Sequence, residues 1–143
     1  MYEALLYTHS YIRFAVMILL VVVVITSFVG WMSKKHYTGT DDKLSLSLFI
    51  ATHIQLLLGL ILYFISGKVQ FNEGTMKNDV VRYWTVEHIF MMLIAVVLIT
   101  VARISAKKMS SSGAKHKRIF IFNFIALLLV MVALLSASGP GLF

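Results

Sequence analysis

Four long apolar runs alternate with short polar connections along the chain. The runs are "YIRFAVMILLVVVVITSFVGWM", "LSLSLFIATHIQLLLGLILYFI", "YWTVEHIFMMLIAVVLITVARI" and "IFIFNFIALLLVMVALLSA". Each is long enough for a membrane-spanning helix, which needs about 20 mostly apolar residues, and none alternates apolar with polar positions as barrel strands do. The pattern predicts an all-α, polytopic membrane protein: a single four-helix bundle over 1–143, with spans at about 8–31, 44–66, 82–105 and 118–137.

Composition and charge agree with a membrane protein and indicate its orientation. Hydrophobic residues make up 59% of the chain and charged residues 13%, and the mean hydropathy is +0.88, far above that of soluble domains. The net charge of +7 would suggest nucleic acid in a soluble protein, but here most Lys and Arg lie in the first and third connections. The positive-inside rule places those connections in the cytoplasm and both termini outside. The basic face is then expected to meet anionic lipid headgroups rather than nucleic acid.

The chain contains no cysteine. This excludes disulfides, iron–sulfur clusters, thiolate ligands and covalent haem attachment. Any cofactor must be held by other side chains or by packing.

Charged residues inside the spans are the first candidates for function, because they are costly in lipid. His9 and Arg13 lie one turn apart at the start of the first span, and Glu87 and His88 lie near the start of the third. Their depths below the outer edge are similar, roughly 6 to 11 Å for Arg13 and Glu87. We therefore expect a buried Arg13–Glu87 ion pair, which leaves His88 available to bind a ligand.

Three spans each carry a histidine: His9, His53 and His88. A lone intramembrane histidine usually hydrogen-bonds to another helix, but three on three helices favour a ligand set. His53 lies roughly 20 Å deep, about 12 Å deeper than His88, which argues against one ion touching all of them. Met91 or Met92 is a weaker candidate ligand. His36 and His116 lie among lysines in the connections and are expected to be solvated.

Smaller signals complete the pattern. Gly59 leaves a smooth patch for another helix or for a flat cofactor, helix packing being the commoner use. Asp79 stands where the third helix should have its N-cap. The aromatic residues near the helix ends are expected to form interfacial belts: Tyr7, Tyr11, Trp31, Tyr63, Tyr83 and Trp84.

The pieces "LLYTHSYIRF", "ATHIQLLLGLILYF", "VVRYWTVEHIFMMLIAVVLITVARISAKK" and "KHKRIFIFNFIALLLV" resemble small four-helix membrane proteins of Bacteroidetes-type bacteria that are labelled cytochrome B. The resemblance covers nearly the whole chain. It implies a site on the matching positions His9, Arg13, His53, Gln55, Gly59, Arg82, Glu87 and His88. A fainter similarity links the chain to the haem-binding membrane proteins of the CopD and protoporphyrinogen-oxidase kind.

Three functional hypotheses follow. The first is a b-type haem protein of the bacterial inner membrane that exchanges electrons with quinone or a respiratory partner. In it His9, His53 and His88 supply axial ligands, Arg13 and Arg82 hold propionates, and Glu87 orients a neighbour or accepts a proton. The second is a Zn, Cu or Fe ion bound directly by the histidines and Glu87. The third is a non-catalytic accessory or assembly subunit, working inside a larger complex or as a homo-oligomer.

Overall fold

The protein is a bundle of helices in a computed structural model that describes residues 1–66 and 69–136, apart from the side chains of Val80, Trp84 and Ser136. Its elements are α1 (Tyr2–Met32), α2 (Gly39–Ile65), α3 (Asp79–Arg82), one turn of π-helix (Tyr83–Glu87, the π-turn), α4 (His88–Lys107) and α5 (Ser112–Ser136). No strand occurs in these ranges. The all-α prediction is confirmed.

Four of the helical stretches are long and apolar enough to cross a membrane. They are Tyr2–Met32, Gly39–Ile65, Thr85–Lys107 and Ser112–Leu135. Most of their large apolar side chains point outward from the bundle, as expected where the solvent is lipid. The four-helix, multi-pass membrane architecture predicted from the apolar runs is therefore confirmed.

Three helices begin earlier than the apolar runs indicate. α1 begins at Tyr2, α2 at Gly39 and α5 at Ser112, against predicted span starts of 8, 44 and 118. The apolar run marks only the part of a helix that suits lipid, while helical hydrogen bonding continues into the polar flank. The predicted end of the last span, residue 137, lies outside the described residues.

Side-chain caps fix two of the helix starts. Thr38 and Asp41 form a capping box at α2, in which each side chain accepts from the other residue's backbone N–H. At α3, the Oδ1 atom of Asn78 accepts from the N–H of Val81 at 3.1 Å. Asn78 therefore takes the capping role that the sequence assigned to Asp79, and Asp79 is the first helical residue.

The π-turn interrupts the entrance to the third span. Its closing hydrogen bond runs from the His88 N–H to the Tyr83 carbonyl, so one turn holds one residue more than an α-turn. Three further bonds connect its middle to the preceding chain. The Tyr63 hydroxyl donates to the Thr85 carbonyl at 2.7 Å, the Gln70 N–H donates to Thr85 Oγ1 at 3.0 Å, and Thr85 Oγ1 donates to the Gln70 carbonyl at 3.3 Å.

Helix order around the bundle sets where a site can form. α1 packs on α2 and α5, and α5 packs on α4, while α2 and α4 touch each other least of these pairs. Small residues let the helices approach closely: Ala95, Ala102, Ala106, Ala126 and Ala133 are all buried. We call the end with Tyr2 and the connection between α2 and α3 the N-side, and the opposite end, which carries most of the basic residues, the basic side.

Candidate functional site

A cavity of about 180 Å³ lies in the N-side half of the bundle, between all four spans. It is lined on α1 from Tyr2 to Val16 and on α4 from His88 to Ile99, so it runs roughly 17 to 21 Å along the helices. Its walls are mostly apolar. The polar residues among them are Tyr2, His9, Ser10, Arg13, Thr52, Gln55, Tyr63, Ser66, Tyr83 and His88.

His9 is held on the α1 side of this cavity by two residues of α2. A methyl group added at Gly59 would lie 3.2 Å from His9 Cε1, so the imidazole lies against the bare backbone of that glycine. Gln55 Nε2 donates to the His9 carbonyl at 2.8 Å. The patch left by Gly59 therefore accommodates a histidine ring, and Gln55 fixes the register of α1 against α2.

Three buried polar atoms of residues lining the cavity have no hydrogen-bond partner among the described residues: His9 Nδ1, Thr52 Oγ1 and Gln55 Oε1. Buried polar atoms are almost always paired, because leaving one unsatisfied costs about 1–3 kcal/mol. Since all three belong to residues that line one cavity, we interpret them as places where a ligand or an ordered water would bind.

His88 lies on the α4 side, facing Tyr83. The Tyr83 hydroxyl is 3.4 Å from His88 Nδ1 and donates to the Ala133 carbonyl of α5 at 2.8 Å. Tyr83 is only 3% exposed. The prediction that Tyr83 belongs to an interfacial aromatic belt is therefore wrong, because its ring and hydroxyl point into the bundle.

The predicted Arg13–Glu87 ion pair is also wrong. Glu87 Oε1 accepts from Arg82 Nε at 2.9 Å, and Arg82 also bonds Asp79 at 3.2 Å. The π-turn explains the change of partner, because it brings Glu87 beside Arg82 on one helix, whereas α-helical spacing would separate them. Arg13 lines the cavity and places its guanidinium 4.7 Å from the centre of the Phe14 ring.

The remaining candidates divide between the cavity and other faces. Met92 lines the cavity, whereas Met91, Arg82 and Glu87 are not among the lining residues that the structure describes. His53 is not among them either. Its Nδ1 lies 2.8 Å from the Phe49 carbonyl of its own helix, and its ring packs on that of Phe49 with centroids 4.3 Å apart. The structure thus brings together His9, Arg13, Gly59, His88 and Met92.

Within residues 1–66 and 69–136, no three His, Asp or Glu side chains converge where they could hold a metal ion. The set of three histidines and Glu87 considered for direct metal binding is therefore not assembled. His9 and His88 both line the cavity. Two histidine ligands are a number suited to an iron whose other ligands come from a porphyrin.

A buried histidine also lies at the basic side. His116 is 2% exposed, and a methyl group at Gly30 would meet three of its ring atoms at 2.5 to 2.7 Å. The prediction of a solvated His116 is wrong, because Gly30 lets α1 cover the ring; His36 is exposed as expected. The ring of Tyr37 packs edge-on against His116 at 5.4 Å. Burial raises the pKa of Tyr37 to about 12, and the Asp42 carboxylate adds to the shift.

Sequence reasoning missed Tyr83 and Thr52 as parts of the site, and it indicated Gln55 only through the family resemblance. For Thr52 and Gln55 a signal existed: they lie three residues apart, and Gly59 follows four residues later, a spacing that places all three on one helix face. His53 belongs to a different face. For Tyr83 no such signal existed, because a π-turn is not apparent from residue spacing.

Comparison of the chain with protein-family models, with curated proteins and with solved structures found no match in any of the three. The residues that line the cavity therefore carry the functional argument by themselves.

Proposed function

We propose that this protein binds haem b non-covalently in the N-side cavity, with His9 and His88 as axial ligands, and that it transfers electrons in the inner membrane of a bacterium. One observation carries the proposal. Histidines from two facing helices line one narrow apolar cavity, and His9 Nδ1 is buried there without a partner among the described residues.

The donor set suits haem better than it suits a bare ion. Two histidines from separate helices of a bundle can hold haem iron from both faces, whereas a zinc site needs three or four protein ligands. Bound haem would supply one-electron redox chemistry at its iron. With no cysteine in the chain, such a haem would be held by ligation, packing and its propionates alone.

The polar residues of the cavity give the haem an orientation. Arg13 is the only Lys or Arg among the described lining residues, and guanidinium groups bind carboxylates well. The hydroxyls of Tyr2 and Ser66 lie 3.3 Å apart and also line the cavity. We therefore expect propionates to be directed toward the N-side, with Arg13 as their cation. Arg82 is less suited to this role because it is not among the described residues that line the cavity.

Met92 offers a variant of the ligand pair. It lines the cavity one turn deeper than His88, and a thioether in place of one imidazole raises the reduction potential of a haem. The optical spectrum separates the two pairs.

The second candidate ligand is a quinol that occupies the cavity in place of haem. The observation that favours it is Gln55, whose Nε2 donates to the His9 carbonyl and whose Oε1 has no partner among the described residues. The Oε1 atom of Gln55 is an acceptor. A hydroxyl of a quinol would satisfy it, and α2 and α4, the least tightly packed neighbours, would admit a lipid-soluble molecule from the bilayer.

Purification in mild detergent after expression with haem supplied tests the haem proposal. We expect a Soret band that shifts on reduction with dithionite. His9→Ala and His88→Ala should each lose the bound haem, while His53→Ala is the matched control and should keep it, because His53 lies outside the cavity.

A colourless protein would refute the haem proposal. Stabilisation of that colourless protein by a short-chain quinol would then support the second candidate. Stabilisation by neither ligand, together with co-purifying membrane subunits, would support the accessory-subunit hypothesis.

A further inference from the structure

A second cavity, of about 470 Å³, opens at the basic side between the connection that follows α1 and the start of α5. Three basic residues in a row, Lys34, Lys35 and His36, line it and are exposed. No carboxylate is among its described lining residues. We call it the basic cavity, and its lining residues are Trp31, Lys34, Lys35, His36, Ser112 and Gly113.

Backbone hydrogen bonds hold the walls of the basic cavity in place. The Tyr37 N–H donates to Ser112 Oγ at 2.9 Å, which connects the chain after α1 to the first residue of α5. At the end of α1, the Lys35 N–H donates to the Gly30 carbonyl at 3.0 Å. Lys34 has a φ of 55°, the left-handed conformation that glycine usually supplies at a helix end. A lysine there adds a cation to the cavity wall where glycine would add none.

The charge on this wall suits a phosphate group. A lysine ammonium has three donors and no acceptor, and lysine is a common phosphate ligand. Lys117 adds positive charge nearby, because its Nζ lies 5.9 Å from the centre of the Trp31 ring. The basic cavity therefore favours an anion with several acceptor oxygens over a neutral or cationic ligand.

Four aromatic rings lead from the basic cavity into the apolar part of the bundle, along the seam between α1 and α5. The Phe120 ring lies 5.8 Å from Trp31, 5.0 Å from Phe28 and 5.4 Å from Phe124. Phe28 is 44% exposed and Phe124 is 39% exposed, so these rings, which we call the aromatic surface, face lipid. Between Ser112 and Phe124 the helix rises roughly 18 Å. An acyl chain would cover this surface, whereas a free phosphate would leave it uncovered.

We propose that the basic cavity binds the phosphate of one acidic phospholipid, whose acyl chain lies along the aromatic surface. The positive-inside rule accounts for basic charge near cytoplasmic headgroups in general, but it requires neither a cavity nor aromatic rings below it. The basic cavity shares no described lining residue with the N-side cavity. Lipid binding here is therefore independent of the proposed function.

The fluorescence of Trp31 reports on this site directly, because Trp31 lines the cavity and Trp84 is the only other tryptophan in the chain. The experiment uses full-length Trp84→Phe protein in mild detergent, titrated with phospholipids that carry bromine on an acyl chain and quench indole emission on contact. Phosphatidylglycerol, which is acidic, should quench Trp31 at a concentration about tenfold or more below that of zwitterionic phosphatidylcholine. Equal quenching by the two lipids would overturn the proposal.

Substitution of the lysines separates this site from general charge at the basic side. Lys34→Gln combined with Lys35→Gln should weaken binding of the acidic lipid roughly 30-fold, from the contribution of two lysines near a membrane surface. Lys107→Gln combined with Lys108→Gln is the matched control, because it removes the same charge from exposed positions that are not among the described lining residues. Salt screens these more distant charges, so binding should weaken less than about threefold. Equal loss in the two double variants would overturn the proposal.

Inorganic phosphate tests the source of the bound phosphate. Because only a lipid contacts the aromatic surface, millimolar inorganic phosphate at constant ionic strength should leave the brominated phosphatidylglycerol bound and Trp31 quenched. Recovery of Trp31 emission on addition of phosphate would overturn the assignment to a phospholipid and assign the cavity to free phosphate.

Discussion

Gly30→Ala is the substitution whose cost can be worked out most directly. The added methyl would lie 2.5 to 2.7 Å from His116 Cε1, Nδ1 and Nε2, whereas favourable contacts between such atoms are about 3.5 Å or longer. The ring must therefore recede by about 1 Å. It has little room to do so, since His116 is 2% exposed and Tyr37 packs against its ring.

Two opposing effects set the expected magnitude. Overpacking a well-packed core costs about 1–3 kcal/mol, and we expect the upper part of that range because three ring atoms clash at once. Alanine favours helix over glycine by about 1 kcal/mol. The net loss of stability should be about 2 kcal/mol, equivalent to roughly 5 °C or more in Tm for a chain of this size.

Thermal unfolding in mild detergent, followed by circular dichroism, measures this loss. Gly113→Ala is the matched control, because a methyl group there meets nothing within 4 Å, and it should not lower the Tm. In a double-mutant cycle, Gly30→Ala should cost much less in a His116→Ala background, giving a coupling energy of at least about 1 kcal/mol. Equal Tm values for Gly30→Ala and Gly113→Ala, or an additive cycle, would refute the reasoning.

Three further predictions concern the π-turn, the cavity and the basic side. Deletion of Val86 should leave haem binding intact, because it converts the π-turn to an α-turn in which Tyr83 and His88 are four positions apart and still in contact. Deletion of the exposed Val97 should abolish haem binding, because it rotates one half of the span by about 100° relative to the other. Equal loss of haem in both variants would contradict this. Gly59→Leu should eliminate bound haem, because it displaces the His9 ring, and retained haem in the folded variant would refute that role of Gly59. Because burial raises its pKa, the Tyr37 hydroxyl should ionise near pH 12. The difference in absorbance at 295 nm between the wild type and Tyr37→Phe should therefore stay constant through pH 10, where an ordinary tyrosine titrates.

Much of the fold was predictable because the bilayer simplifies the physics. A span must satisfy its backbone hydrogen bonds internally and keep apolar groups outside, so the four helices follow from the apolar runs alone. Small residues also pack where the helices approach each other, since Ala95 and Ala102 are both buried. Helix ends were less predictable, because they depend on caps such as Thr38 and Asp41 rather than on hydropathy.

The site was predictable only in part because its contacts depend on rotation about the helix axes. His9, His88 and Gly59 could be nominated from residue type and depth, and they line one cavity. Residue type alone could not exclude His53 from the site. His53 lies outside the cavity because it is on a different face of α2 from Gln55. The partner of Glu87 depended on one extra residue in the π-turn, which no spacing rule for α-helices anticipates.

His116 is instructive for a different reason. Its neighbours in sequence are lysines, which predicts water, but its environment is set by Gly30, 86 positions away in the chain. A glycine that accommodates a ring on another helix gives no local signal at the ring. The same relation holds between Gly59 and His9 at the other end of the bundle.

The optical spectrum of the purified protein, with and without its two cavity histidines, tests the central claim most directly. We expect a Soret band that shifts on reduction in the wild type and in His53→Ala, and no such band in His9→Ala and His88→Ala. A colourless wild type, or loss of the band in His53→Ala with retention in His9→Ala and His88→Ala, would contradict it.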